Sequence, residues 1–203
     1  MSWADVSLKQ FQDALASSAP TPGGGSAAGV ALGQAAALAV MVSDLTLGNE
    51  SFSNGWEISE HVKAIATPML EEGLNLATED SEAFDKVVAS FKLPKDTDQL
   101  KSERREAIRS ATLGAAEVPY RTAVSALNLL KLLPELASKG NPNAASDVGV
   151  ASLLASAAVK GGIFNVEINL QSLPEEYGTE MRLALPNLIE EGRVYSRQAM
   201  DAV

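Results

Sequence analysis

One short run, Glu79-Asp80-Ser81-Glu82-Ala83-Phe84-Asp85, places a carboxylate where it can move protons. If the run is helical, Asp80 lies one turn from Leu76, Ala77, Ala83 and Phe84 and shares their apolar face, which Val87 and Val88 extend. A carboxylate there is costly unless it is hydrogen-bonded. Burial raises its pKa, so that it can take up and release a proton near neutral pH. The competing reading is a boundary aspartate that caps a neighbouring helix. Glu79, Glu82 and Asp85 belong to the solvated side.

A second run, Pro20-Thr21-Pro22-Gly23-Gly24-Gly25-Ser26-Ala27-Ala28, opens an alanine-rich segment of high helix propensity. Ser26 suits the N-cap of that helix, where unpaired N–H groups and the macrodipole favour an anion or a carbonyl oxygen. Gly23, Gly24, Gly25 and Ser26 are therefore candidate binding residues, and a tight loop into a closely packed helix is the alternative. No Gly-Lys-Ser/Thr follows, and no strand precedes, so neither dinucleotide nor P-loop chemistry fits. A third run, Gly140-Asn141-Pro142-Asn143-Ala144-Ala145-Ser146-Asp147, offers Asn143, Ser146 and Asp147 to a heterocycle, or equally to turns and caps. Asn165 and Asn169 flank apolar positions, where an amide must be paired. Ser26 has no histidine base, because the lone His61 reads as a surface residue beside Glu60 and Lys63; a hydrolase triad is not expected.

Composition narrows the classes further. The absence of cysteine removes disulfides and thiolate chemistry, and one histidine cannot build a multi-histidine zinc site, so no metal and no redox cofactor is expected. A net charge of -10 argues against nucleic acid. The start of the chain lacks a basic-then-apolar leader, and the apolar stretch from Ala27 to Val42 reads as too short to span a membrane. A cytoplasmic protein without a membrane partner is expected.

The elements that must position these residues read as helices. With 46% hydrophobic but only 5% aromatic residues, the core is built of Ala, Leu and Val, which favours closely approaching helices. Helices are expected over about 8–17, from the glycine loop to 47, over 57–91 with a bend at Pro68, from Thr97 or Asp98 to 137 with a kink or break at Pro119, over 145–160, and from 174 to the end. Gly48 to Gly55 reads as a polar loop. The octet Ile163 to Leu170 alternates well enough to be read as a strand. The chain is expected to form one all-α domain over 1–203, a single-domain bundle of long, small-residue-rich helices. The alanine and glycine faces around 27–39 and 151–158 point to a homodimer.

Four motifs in order, Pro22 to Ala28, Asp80-Ser81-Glu82-Ala83-Phe84 with Leu93-Pro94-Lys95, Gly140 to Asp147, and Asn165-Val166-x-Ile168-Asn169-Leu170, resemble the cyclodeaminase domain of formiminotransferase-cyclodeaminase and the stand-alone bacterial cyclodeaminase/cyclohydrolase proteins. The resemblance runs from about Phe11 to the C-terminus. It implies an all-helical dimer that binds a tetrahydrofolate derivative as substrate near the subunit interface, with Asp80 in the catalytic position. Gly23, Gly24, Gly25, Ser26, Asn143, Asp147 and Asn165 are the expected substrate-binding residues. The implied reaction is conversion of 5-formimino-tetrahydrofolate to 5,10-methenyl-tetrahydrofolate and ammonia. The alternatives are methenyltetrahydrofolate cyclohydrolase, giving 10-formyl-tetrahydrofolate, and a non-catalytic folate-binding helical dimer. At Gly48 to Phe52 the chain lacks lysines that the family commonly carries, which implies weak binding of polyglutamate tails.

Overall fold

The computed structural model describes residues 2–203, and among them no strand occurs. Seven α-helices follow in order: α1 (Leu8–Leu15), α2 (Gly24–Thr46), α3 (Trp56–Ser90), α4 (Asp98–Leu130), α5 (Leu133–Lys139), α6 (Ala145–Gln171) and α7 (Thr179–Asp201). Short 3-10 turns cover Trp3–Asp5, Glu50–Gly55 and Pro142–Ala144. The fold is a single all-helical bundle.

Helix α2 is its axis. Leu32, Ala35, Ala36, Ala39 and Val42 are fully buried, and the helix packs against α3 on one side and α6 on another. The small residues allow backbone contact. A Cβ on Gly73 of α3 would lie 2.6 Å from the Gly29 carbonyl oxygen and 2.6 Å from the Gly33 amide nitrogen, both on α2. Glycine at this crossing is therefore a packing requirement, and it sets how near α3 can come. At 23 residues, α2 is long and apolar enough to cross a membrane, contrary to the length expected from sequence, but 56% of that stretch is buried inside the fold. Its apolar surface serves the core.

Three local expectations are corrected. Ile163 to Leu170 is not a strand but the last part of α6. Ile163, Val166 and Leu170 point into the core, while Phe164 and Ile168 face outward at 66% and 62% exposure. A helix that is apolar on two opposite faces imitates strand alternation over eight residues. Helix α4 does not break at Pro119; the chain breaks at Lys131 and Leu132, before α5. Proline lacks the N–H that would bond the carbonyl four residues earlier, here that of Ala115. Asn169 Nδ2 donates to that oxygen at 2.9 Å instead. The third correction concerns Ser26, which is not an N-cap. Gly23 holds that position without a side-chain bond. Thr97 does cap α4, accepting from the Leu100 amide at 3.2 Å.

Two outcomes follow. Gly73→Ala should destabilise the protein by about 1–3 kcal/mol through overpacking, outweighing the roughly 1 kcal/mol that alanine gains in helix propensity; urea unfolding measures the difference. Asn169→Ala should cost about 1–3 kcal/mol, because the Ala115 carbonyl is left without a donor, whereas the double variant Asn169→Ala with Pro119→Ala should recover part of that loss.

Candidate active site

The approach of α2 to α3 brings the Asp80 carboxylate against the first turn of α2. The first intrahelical bond runs from the Ala27 amide to the Gly23 carbonyl at 3.0 Å, so the amides of Gly24, Gly25 and Ser26 have no helical acceptor. Ser26, three residues into the helix and fully buried, donates its hydroxyl to Asp80 Oδ2 at 2.9 Å. A Cβ on Gly25 would overlap the Asp80 carboxylate, so only glycine leaves room for it. Burial pushes the Asp80 carboxyl above its ordinary range, and the Ser26 hydroxyl and backbone amide pull part of the way back. Burial and these two bonds thus act on the same proton in opposite directions, with burial the stronger.

Asp80 lines a cavity of about 230 Å³ together with Pro20, Thr21, Gly23, Gly24, Gly25, Phe84, Ala115, Asn165, Ile168 and Asn169. No other lining residue carries an ionisable side chain. Asn165 lies beside Gly24 and donates Nδ2 to the Gly161 carbonyl at 2.8 Å, which leaves its Oδ1 unclaimed among the described residues. Thr21 Oγ1 donates to Asp85 Oδ1 at 3.1 Å and ties the proline-rich approach to α3. Glu79 pairs with Arg121 of α4 on the exposed side. A larger apolar cavity of about 380 Å³, between Trp3, Phe11 and Leu70, holds no ionisable group.

The structure therefore gathers Gly23, Gly24, Gly25, Ser26, Asp80 and Asn165 into one place. It does not bring Asn143 and Asp147 there within one chain. The Asn141 amide and Nδ2 bond Thr46 Oγ1 and the Leu45 carbonyl at the far end of α2. A helix of that length separates the two ends by about 33 Å. Phe84, expected on the inward face, is 40% exposed and forms part of the cavity wall. His61 is exposed, as expected. Sequence reasoning missed Ser81 and Trp3: Ser81 Oγ lies 3.0 Å from Ser26 Oγ and accepts from Trp3 Nε1 at 2.9 Å. The signal for Ser81 was its place beside Asp80 on an inward-turned helix. A lone tryptophan near the start of the chain gave none.

Within an all-helical fold, a desolvated carboxylate faces open helix amides, an arrangement able to exchange a proton with a bound molecule. The chain belongs to the formiminotransferase-cyclodeaminase family, whose pattern matches residues 7–184. It is 35% identical to the methenyltetrahydrofolate cyclohydrolase of Methylorubrum extorquens, over 97% of this chain and 95% of that protein. It is 34% identical to the formimidoyltransferase-cyclodeaminase of Gallus gallus, over 92% of this chain but 35% of that longer protein. The solved formiminotetrahydrofolate cyclodeaminase of Thermotoga maritima superimposes with a TM-score of 0.87 at 28% identity, covering 98% of this chain and 96% of that one.

The raised Asp80 pKa has a sign. The folded state holds this proton more tightly than the unfolded chain, so its contribution to stability falls as pH rises from the ordinary aspartate value through the raised one. Asp80→Asn removes that dependence. Urea unfolding of both proteins should show the variant gaining on the wild type with rising pH across that interval, and a constant difference above it.

Proposed function

We propose that this chain converts 5-formimino-tetrahydrofolate to 5,10-methenyl-tetrahydrofolate and ammonia, with Asp80 as general acid and base. The observation that carries this reading is the single ionisable group of the cavity, a carboxylate of raised pKa beside the free amides of α2. The formimino group reacts as its protonated amidinium, =NH2+: when N10 attacks its carbon, the N10 proton must leave and the departing nitrogen must gain one more proton to go as ammonia, leaving the methenyl cation. Ionised Asp80 takes the first proton and, once protonated, delivers it to the nitrogen that leaves as ammonia. The Gly24 and Gly25 amides are placed to receive a pterin carbonyl or a carboxylate oxygen of the substrate. Asn165 Oδ1 can accept from a ring N–H.

A second reaction uses the same group. In the cyclohydrolase reading, Asp80 takes a proton from the water that adds to the methenyl carbon and returns it to N5 as the C–N5 bond breaks, while the remaining hydroxyl proton passes to solvent as the formyl C=O forms. The near-equal length of this chain and the Methylorubrum extorquens cyclohydrolase favours keeping it. The equally good length match to the Thermotoga maritima cyclodeaminase favours the first.

A homodimer completes the proposal. Along α6, Val150, Leu153, Phe164 and Ile168 lie on one face, and each is at least 47% exposed. Met41 and Leu45 of the neighbouring α2 are exposed too. An apolar stripe of this length suits a second copy. Ile168 belongs both to this stripe and to the cavity wall. The cavity is smaller than the roughly 300–1,000 Å³ usual for a ligand of folate size, so a partner against α6 would add the missing wall.

Incubation with each folate separately, followed by methenyl absorbance, identifies the reaction: a gain from the formimino substrate supports the cyclodeaminase, a loss from the methenyl substrate the cyclohydrolase, and binding without turnover defeats both. Asp80→Asn should lower turnover by about 10²–10⁴ while folate still binds; near-normal turnover in the folded variant would refute the assignment. Sedimentation should show a dimer at micromolar concentration, and Leu153→Arg should shift it toward monomer and weaken folate binding.

A further inference from the structure

The catalytic carboxylate does not end its hydrogen bonding at Ser26. Trp3 Nε1 donates to Ser81 Oγ at 2.9 Å, Ser81 Oγ lies 3.0 Å from Ser26 Oγ, and Ser26 Oγ donates to Asp80 Oδ2 at 2.9 Å. Ser81 is 6% exposed and Ser26 fully buried, so water does not stand in for either hydroxyl. Trp3 is held by two further contacts. Its backbone amide donates to Thr78 Oγ1 at 2.9 Å, and its ring meets Phe11 edge-on with centroids 5.5 Å apart.

We infer that Trp3 is a positioning residue for the proposed reaction, because its indole N–H fixes the direction of a hydroxyl chain that ends on Asp80. The inference rests on Asp80 being the acid/base of that reaction. A serine hydroxyl both donates and accepts, so a pair of serines alone can point either way. An indole N–H only donates. With Trp3 donating to it, Ser81 is left with its own proton to give, and Ser26 is the acceptor beside it. Ser26 in turn gives its proton to Asp80 Oδ2. The reversed chain would require Ser81 to accept from both Trp3 and Ser26, and Asp80 would lose its hydroxyl donor, keeping only the Ser26 backbone amide. The oriented chain thus favours the ionised carboxylate.

Charged groups do not compete for this role. Helices α2 and α6 present no ionisable side chain to the cavity. On α3, Glu79 is paired with Arg121 of α4, and Asp85 accepts from Thr21. Asp5, in the turn that carries Trp3, is exposed. Burial and Ser26 are what move the Asp80 carboxyl.

The test uses the full chain and two readouts. Carbon-13 labelling of aspartate, with the Asp80 resonance assigned by its loss in Asp80→Asn, follows its titration without any substrate. The pH profile of kcat follows it in turnover. Trp3→Phe keeps an aromatic ring against Phe11 but removes the N–H. It should move the Asp80 titration and the acidic limb of kcat to higher pH, with turnover on that limb lowered by about 2- to 10-fold, the worth of one neutral hydrogen bond. Ser81→Ala, which leaves the ring packing untouched, should move both in the same direction and carries the test alone if Trp3→Phe does not fold. Adding Trp3→Phe to Ser81→Ala should shift the titration no further. An unchanged Asp80 titration in folded Trp3→Phe or Ser81→Ala overturns the inference, as does a further shift in the double variant. Full turnover in Asp80→Asn would instead defeat the acid/base role on which the inference stands, and the titrations tell these two failures apart.

Discussion

The closeness of α2 to α3 is the constraint on which the rest depends. Two helices with side chains at the contact sit about 8–10 Å apart. Here glycines on both helices remove the intervening Cβ atoms, and the backbone of α3 touches that of α2. That contact does more than close a core. It carries α3 past the open first turn of α2, so that a carboxylate on the one reaches unpaired amides on the other. With bulkier residues at Gly29 or Gly73 the helices would stand off, and Asp80 would meet solvent instead of Gly25 and Ser26.

The cavity wall opposite follows from a different compensation. A proline inside α4 withdraws one hydrogen bond from the helix, and a side chain of α6 restores it. The repair fixes Asn169 and Ala115 against each other, and both line the cavity. Asn169 is therefore explained by its neighbour's backbone, while Asn165, one turn earlier, keeps an acceptor free. Two asparagines four residues apart on one helix thus have different work, decided by whether an orphaned carbonyl lies within reach.

Much of this was legible in the sequence. The small-residue composition announced closely packed helices, and Asp80 on an apolar face announced a carboxylate of raised pKa. What was not legible depended on partners far along the chain. Ser26 reads as a cap because caps are local, yet its hydroxyl is taken by a residue 54 positions away. Ile163 to Leu170 reads as a strand because its outward apolar residues look like half of an alternation, when they are a second face of a helix. The motif containing Asn143 and Asp147 belongs with the others in order but, within one chain, not in space, since α2 holds the two ends apart. Trp3 is invisible for a simpler reason: a single indole announces a need for an acceptor without saying where it lies.

The floor of the cavity is main chain. At Gly24 and Gly25 the groups offered to a ligand are peptide amides, which every amino acid possesses and no exchange of side chain can retune; at Gly25 even a methyl group is excluded. Adjustment of what fits there is thereby left to the rim, where the side chains of Phe84 and Ile168 stand exposed in the single chain. Such an architecture separates a fixed part from an adjustable one: the side chains at the rim can change while the polar groups of the floor stay the same.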